Sequence, residues 1–406
     1  MLAPLPRSVE RVAPGSGWFH PSGRPRAPHL VDATMFWNPA GPGGVRRYLL
    51  AKRHLLCPDR IWHHTIVAPG ARGPGMVDCG GVPLPASGGY RLPWNRHQLA
   101  RTIVAQQPDL VEVGDPYRLA WAGLDAAHTL GVPAVLFCHS DLPRLAASGA
   151  APWFGDAIGS KAELLAARYL ARTCRGFDLV LAPSRMMERR MHDYGVIHAQ
   201  HQPLGVDMSV FRPGARDDAW RASLGLPADA RLLLYAGRFA PEKHLDQLCV
   251  AIERLGPRYH LLAMGAGPTP PSGPRVHLLR FDPRPARVAR VLASVDGFVH
   301  AGDQETFGLS VLEAMACGTP VAVRAAAGLA EVVDDGCGIA VRRGDVDEWA
   351  QAITALCEGR GSHVARALAR ARLHDWPRVL AVLRKRYERS MQRVTGAAGV
   401  PVPLFA

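Results

Sequence analysis

From about residue 29 onward, short apolar runs alternate with longer amphipathic segments. The runs at 29–36, 61–67, 108–113, 133–138 and 177–182 are rich in Val, Leu, Ile and Ala and are bounded by Gly, Pro or Asp, so they predict buried parallel strands. Between them, 45–50, 95–107, 120–130 and 160–175 carry apolar residues at helical spacing. The region 69–89, dense in Gly and Pro, reads as loop. The alternation resumes at 232–237, 259–263, 276–281 and 295–323, and a last helical segment runs through 376–393. Strands alternating with helices predict βαβ units in open parallel sheets, whose ligands sit at the carboxyl ends of the strands.

The stretch 295–323, VDGFVHAGDQETFGLSVLEAMACGTPVAV, shows the pattern most completely: strand, loop, helix, a stop at Gly318 with Pro320 beyond it, and strand. Two carboxylates bracket the helix start, Glu305 in the loop and Glu313 within the helix. The first N–H groups of a helix lack intrahelical partners and carry the positive end of the dipole, which favours a diphosphate there. Gly308 lets the backbone come close, and ionised Glu305 and Glu313 accept from the neighbouring hydroxyls of a sugar and a ribose. Two arbitrary glutamates at this spacing would be surface charges; the surrounding residues decide against that.

Length adds that 406 residues exceed one ordinary core, so two lobes are expected. A hydrophobic share of 48% and a charged share of 20% describe a globular chain. The eight cysteines form no Cys-x-x-Cys pair, which argues against a zinc site and a disulfide scaffold. A net charge of +13 implies an anionic partner: a nucleotide donor, an anionic lipid surface or nucleic acid. No basic run alternates with aromatics, which argues against nucleic acid. No apolar run reaches the roughly eighteen residues of a membrane span, and the N-terminus lacks the apolar centre of a secretory signal. The expected location is cytoplasmic, peripheral on the inner face of the membrane.

Further candidates stand at strand ends. Gly43-Gly44-Val45 opens the first helix after a glycine-rich loop, a phosphate cradle that matches neither a dinucleotide fingerprint nor a Walker loop. His139 follows the run 133–138. Arg238 and Lys243 flank the loop after 232–237, a guanidinium fork and a point charge able to converge on one anion. Ser160-Lys161-Ala162-Glu163 fits a capping box, and on the helix it opens Lys161, Arg168, Arg172 and Arg175 fall within one narrow stripe. A solvated helix face and docking on an anionic membrane both fit that stripe.

Glu-x7-Glu, with Phe307-Gly308-Leu309 after the first Glu and Ala-Met-Ala-x-Gly-x-Pro after the second, resembles the signature of the family-4 retaining glycosyltransferases of the GT-B fold. Gly237-Arg238-x4-Lys243 resembles that family's diphosphate clamp, and Met264-Gly265-Ala266-Gly267-Pro268 resembles its turn under the nucleotide. Residues 177–184 and 202–213 are similar to its last first-lobe strand and its hinge. Arg280-Phe281-Asp282-Pro283 departs from the family's pattern, which leaves guanine and uracil both open as the base.

The resemblance implies an α/β chain of GT-B architecture: two Rossmann-like lobes, a cleft between them, and a C-terminal helix crossing back to the first. Its divisions would be an arm at 1–27, an acceptor-side lobe at 28–203, a nucleotide-sugar lobe at 204–375 and the returning helix at 376–406. It implies transfer of a hexose, of mannose or glucose type, from a nucleotide diphosphate sugar to a hydroxyl, lipid-linked or on a growing glycan, with retention and without a metal or other cofactor. His139, Arg238, Lys243 and Glu305 would act on the sugar and diphosphate. Gly43, Gly44, Gly237, Gly265, Gly267, Phe307, Gly308, Leu309 and Glu313 would hold the donor. A sugar-phosphate synthase of the same fold is the alternative enzyme, and a non-catalytic nucleotide-sugar binder is the alternative outside catalysis.

Overall fold

The computed structural model describes residues 27–38, 43–57, 62–84, 89–214, 216–334, 336–359, 361 and 363–397. The expected arm, apart from its last residue, and loop residues 39–42 lie outside them.

Among the described residues, nine strands belong to the N-terminal half: β1 (His29–Ala33), β2 (His63–Ala68), β3 (Met76–Asp78), β4 (Val82–Pro83), β5 (Arg91–Leu92), β6 (Leu110–Val113), β7 (Ala134–Phe137), β8 (Leu179–Ala182) and β9 (Ala199–His201). Seven of them form a parallel sheet in the order β3-β2-β1-β6-β7-β8-β9, while β4 and β5 make a small antiparallel ladder. The C-terminal half contributes β10 (Arg231–Arg238), β11 (Tyr259–Ala266), β12 (Val276–Arg280), β13 (Gly297–His300), β14 (Val321–Arg324) and β15 (Ile339–Val341), a second parallel sheet in the order β12-β11-β10-β13-β14-β15. Both orders reverse beside the first strand of the sheet, at β1/β6 and β10/β13, and such switch points open crevices for ligands.

The helices are α1 (Gly44–Leu56), α2 (Arg96–Val104), α3 (Arg118–Leu130), α4 (Leu142–Phe154), α5 (Asp156–Cys174), α6 (Arg185–Asp193), α7 (Asp218–Ala222), α8 (Leu245–Leu255), α9 (Pro285–Ser294), α10 (Leu309–Ala316), α11 (Leu329–Val332), α12 (Val346–Glu358), α13 (Val364–Leu373) and α14 (Trp376–Ala397). The central strands are buried on both faces and mostly apolar: Val31, Val111 and Leu136 in one lobe and Leu233, Leu261 and Val299 in the other have no exposed surface, while Asp32 and Glu112 are the buried polar exceptions of β1 and β6. Each such side chain contributes about 1.5–3 kcal/mol of burial.

Three expectations need correction. The region 69–89 is not all loop, because Met76–Asp78 pairs with β2 as the edge strand of the sheet. Ser160 does not open a helix: α5 begins at Asp156 behind Gly155, and Ser160 lies a turn inside it. The strand after Leu232 also runs further than 237, carrying Arg238 in register with Ala266.

The chain changes lobes twice. Val206 and Asp375 form a parallel bridge, with Val206 N–H donating to the His374 carbonyl at 2.8 Å and Trp376 N–H donating to the Val206 carbonyl at 3.1 Å. From there α14 packs on the N-terminal lobe. Its Tyr387 is buried beside Lys52 of α1, whose ammonium donates to Asp32 at 2.9 Å, Glu112 at 2.7 Å and the Tyr387 hydroxyl at 3.1 Å.

Candidate active site

The carboxyl ends of β1, β7, β10 and β13 face one another across the cleft. Two adjoining cavities lie in it, about 210 Å³ on the C-terminal side and about 430 Å³ on the N-terminal side. Gly44, Tyr90, Arg238, Lys243, Glu305, Gly308 and Leu309 line both.

Glu305 sits in the loop after β13. Its Oε1 accepts from Lys243 Nζ at 2.6 Å and lies 3.2 Å from His300 Nε2. Burial pushes its carboxyl up, but the Lys243 ammonium and the His300 ring outweigh that and hold it well below the usual carboxylate range. Glu305 is therefore an anion at neutral pH, able only to accept hydrogen bonds. Lys243 reaches it from a single 3-10 turn, Pro241–Lys243, and Arg238 at the end of β10 pairs with Glu242 of that turn.

Glu313 has the opposite setting. α10 is buried all round, with Val311, Leu312, Ala314, Met315 and Ala316 in the core, so Glu313 is 2% exposed. Burial raises its carboxyl and the Arg47 guanidinium, which bonds to Oε1, pulls it part of the way back. Because Arg47 lies on α1, this pair spans the lobes. The start of α10 has no side-chain cap; Gly308 occupies that position at φ 105°, leaving the first amides of the helix for an anion.

His139, just beyond β7, stacks on Phe137 at 4.4 Å and leans on Tyr48 at 5.1 Å. Burial pushes its pKa down to about 4, so the ring is neutral at pH 7. Its Nε2 is buried with no hydrogen-bond partner, on a residue that lines the larger cavity. The Thr306 hydroxyl donates to the His139 carbonyl at 2.9 Å, which fixes the loop before α10 against the opposite lobe.

Gly43 and Gly44 line the smaller cavity, and a Cβ on Gly44 would meet Leu309 Cδ1 at 3.3 Å. Gly237 lines it too. Gly265 and Gly267 line neither cavity. A Cβ on them would meet the backbone oxygens of Gly237 at 1.9 Å and of Phe239 at 2.0 Å, so they permit close packing beneath the loop. Phe307 is 4% exposed, on the wall of the larger cavity with its ring 5.5 Å from His374. Sequence reasoning missed Arg47, Tyr90, Glu242 and His300. Only the last two carried a signal, His300 as the residue that ends β13 and Glu242 as the neighbour of Lys243.

Comparison with known proteins decides what this cleft belongs to. The sequence model for Glycosyltransferase Family 4 matches residues 14–210, and that for Glycosyl transferases group 1 matches residues 230–359. The chain is a group 1, family 4 glycosyltransferase. A GDP-mannose-dependent alpha-mannosyltransferase of Mycolicibacterium smegmatis is 33% identical over 56% of this chain and 58% of its own length. A GDP-mannose-dependent alpha-(1-6)-phosphatidylinositol dimannoside mannosyltransferase of Mycobacterium tuberculosis is 28% identical over 87% of this chain and 94% of its own. Among solved structures, Anabaena HepE with UDP and glucose superposes with a TM-score of 0.70 at 20% identity, over 88% of this chain and 99% of that one. Sucrose-phosphate synthase of Thermosynechococcus elongatus gives 0.72 at 19% identity, over 90% and 100%. The glycosyltransferase thus has the GT-B fold, with the cleft between its two Rossmann-like sheets.

Proposed function

We propose that this glycosyltransferase moves a mannosyl residue from GDP-mannose to a hydroxyl of a lipid-linked glycan with retention at the anomeric carbon. The observation that carries the reading is the ionised Glu305, held by Lys243 and His300 beside Arg238 and the uncapped start of α10. An anionic acceptor of sugar hydroxyls stands next to a cationic surface for a diphosphate. As the glycosidic bond to the diphosphate breaks, negative charge grows on the leaving oxygen, and Arg238, Lys243 and the α10 amides stabilise it. Each cation then exchanges part of its present carboxylate pairing for phosphate. Neutral His139 offers its unpaired Nε2 to a sugar hydroxyl, and Glu313 exchanges Arg47 for the ribose diol. The departing phosphate takes the acceptor's proton on the face it leaves, which gives retention without a covalent intermediate on the protein. No metal takes part.

The GDP-mannose relatives support the donor, and the relative acting on phosphatidylinositol dimannoside supports a lipid-borne acceptor. No helix among the described residues is long and apolar enough to cross a membrane, so such an acceptor would be reached from the surface, with Lys161, Arg168, Arg172 and Arg175 all exposed for that contact. A phosphorylated acceptor, as in a sugar-phosphate synthase, is favoured by one feature, Arg144 and Arg190 on the wall of the larger cavity. Melting temperatures measured with a panel of nucleotide sugars, followed by NMR of the transferred product, test the reading. GDP-mannose should give the largest rise and the product an α-anomer, in excess EDTA as well as without it. A larger rise with a UDP-sugar, an inverted product, or activity restored only by a divalent ion would overturn the corresponding part.

A further inference from the structure

We infer that the apex of the α4–α5 hairpin inserts into an anionic lipid leaflet, with the arginines of α5 lying on the phosphates beside it. This deepens the lipid-acceptor reading above by naming the element that meets the lipid. The two helices pack against each other and turn at Gly155, whose φ of 84° is open to glycine at little cost. At the turn stand Trp153, 82% exposed, and Phe154, 67% exposed, with Ile158 one turn into α5. Leu164, Leu165 and Tyr169 continue the exposed apolar surface along α5. Of the fifteen large hydrophobic side chains exposed among the described residues, six lie at this apex and along α5, while Leu145 of α4 belongs to the wall of the larger cavity. Scattered singly they would need no explanation; gathered on one motif they mark a contact surface.

Charge selects the partner. At 100° per residue Lys161, Arg168 and Arg172 fall between Leu164 on one side and Leu165 and Ile158 on the other, so basic and apolar side chains share one face. The acidic groups of α5 fall on the opposite side of the same wheel: Asp156, exposed beside the apex, and Glu163, which accepts from the Tyr194 hydroxyl at 3.3 Å. Long basic stems lie along apolar surface while their heads reach phosphate, and Trp rings settle at the headgroup level. Tyr169 extends the surface toward α3, accepting from Trp121 Nε1 at 3.0 Å, and Arg96 lies over the Trp121 ring. The other end of α4 opens on the cleft: Asp141 and Arg144 line the larger cavity, and Ser148 accepts from Gln304 of the opposite lobe at 3.3 Å. An apex seated in lipid therefore places the acceptor side of the cleft near the headgroups.

The experiment uses the full chain and vesicles of phosphatidylcholine alone or mixed with phosphatidylglycerol. Wild-type protein should co-sediment with the mixed vesicles, fail to do so with the neutral ones, and be released by high salt within the short screening length. Trp153→Ser with Phe154→Ser, and separately Arg168→Gln with Arg172→Gln, should each weaken binding at least about tenfold, a neutralised arginine contributing roughly a factor of five. The rise in melting temperature with GDP, measured on the same samples, should be unchanged, because none of these four residues lines the cleft. Equal binding to neutral vesicles, or variants that bind like wild type, would overturn the inference. So would a wild-type dimer that the apex variant converts to monomer, since the patch would then belong to a second copy. Loss of the GDP effect in wild type would count against the transfer reading alone.

Discussion

Glu305 and Asp115 are both carboxylates at the carboxyl ends of strands, and their surroundings send them in opposite directions. Glu305 has a lysine and a histidine against one oxygen and stays ionised. Replacing Lys243 by Ala leaves that anion with His300 and removes a charge from the leaving group's path. Turnover with saturating donor should fall by a barrier increase of roughly 2–4 kcal/mol, and likewise for Arg238→Ala; near-wild-type turnover in both would remove them from the chemistry. Asp115 is fully buried, bonded to the Thr34 hydroxyl and the Met35 N–H at 3.2 Å each, with its second oxygen lacking a partner. Burial pushes it up to about 6 from 3.8. A carboxyl whose folded pKa is raised contributes stability that is present below the unfolded value and is lost as pH rises through the folded one. Asp115→Asn, which keeps both an acceptor and the shape, should thus stabilise the protein by up to about 3 kcal/mol at pH 8 and by little at pH 4. Denaturant melts of both proteins at the two pH values check this; a difference independent of pH would assign the effect to packing.

At the scale of elements, legibility followed how much apolar surface each one presents. The unit from β13 through α10 to β14 was readable because its strands are unbroken apolar runs and Gly318 with Pro320 marks the stop. α4 left no comparable trace: Ala, Gly and Pro152 within it blur the periodicity, and its sides meet α5, the cleft and solvent. α6 is mostly polar and buries only Met187 and Met191, so its pattern resembles a surface loop. Its start is fixed locally by Ser184, whose Oγ accepts from the Met187 N–H at 3.1 Å, and from the other lobe by Glu331, which accepts from the backbone N–H of Arg185 at 2.9 Å and from that of Met186. In the site, the ends of strands were legible, whereas partners such as Arg47 and Glu313, far apart in sequence, were not, because nothing local records which lobe surfaces meet. Gly308 offers a test at this scale. At φ 105°, with a Cβ falling 2.5 Å from Leu329 Cδ2, Gly308→Ala strains the backbone and displaces α11. It should cost about 1–3 kcal/mol of stability and reduce the GDP-induced rise in melting temperature; an unchanged rise would mean that nothing binds at the start of α10.

The whole molecule is held together by contacts that respect neither lobe as a unit. Across the cleft run Arg47–Glu313, Thr306–His139, Gln304–Ser148 and the Glu331 cap, while at the back the two crossovers lie side by side at Val206 and Asp375. A Cβ on Gly205 would fall 2.6 Å from the Trp376 ring, so the crossovers are packed without slack. Beyond them, Lys52 has lost all its water and relies on Asp32, Glu112 and the Tyr387 hydroxyl brought by the last helix. A chain ending at Asp375 would keep every group of the cleft described above and still leave this ammonium short of a donor-accepting oxygen and an apolar strip of the first lobe bare. Such a chain should lose at least about 3 kcal/mol and collect in the insoluble fraction; soluble expression with a wild-type melting temperature would contradict it. The paired crossovers also act as a pivot pin. With the two crossing segments bridged to each other at Val206 and Asp375, sliding of one half past the other is opposed there, and turning about that line is the freer motion. Opening the cleft would break the contacts across its mouth before those at the pin, so jaws hinged like pliers are the motion this arrangement favours.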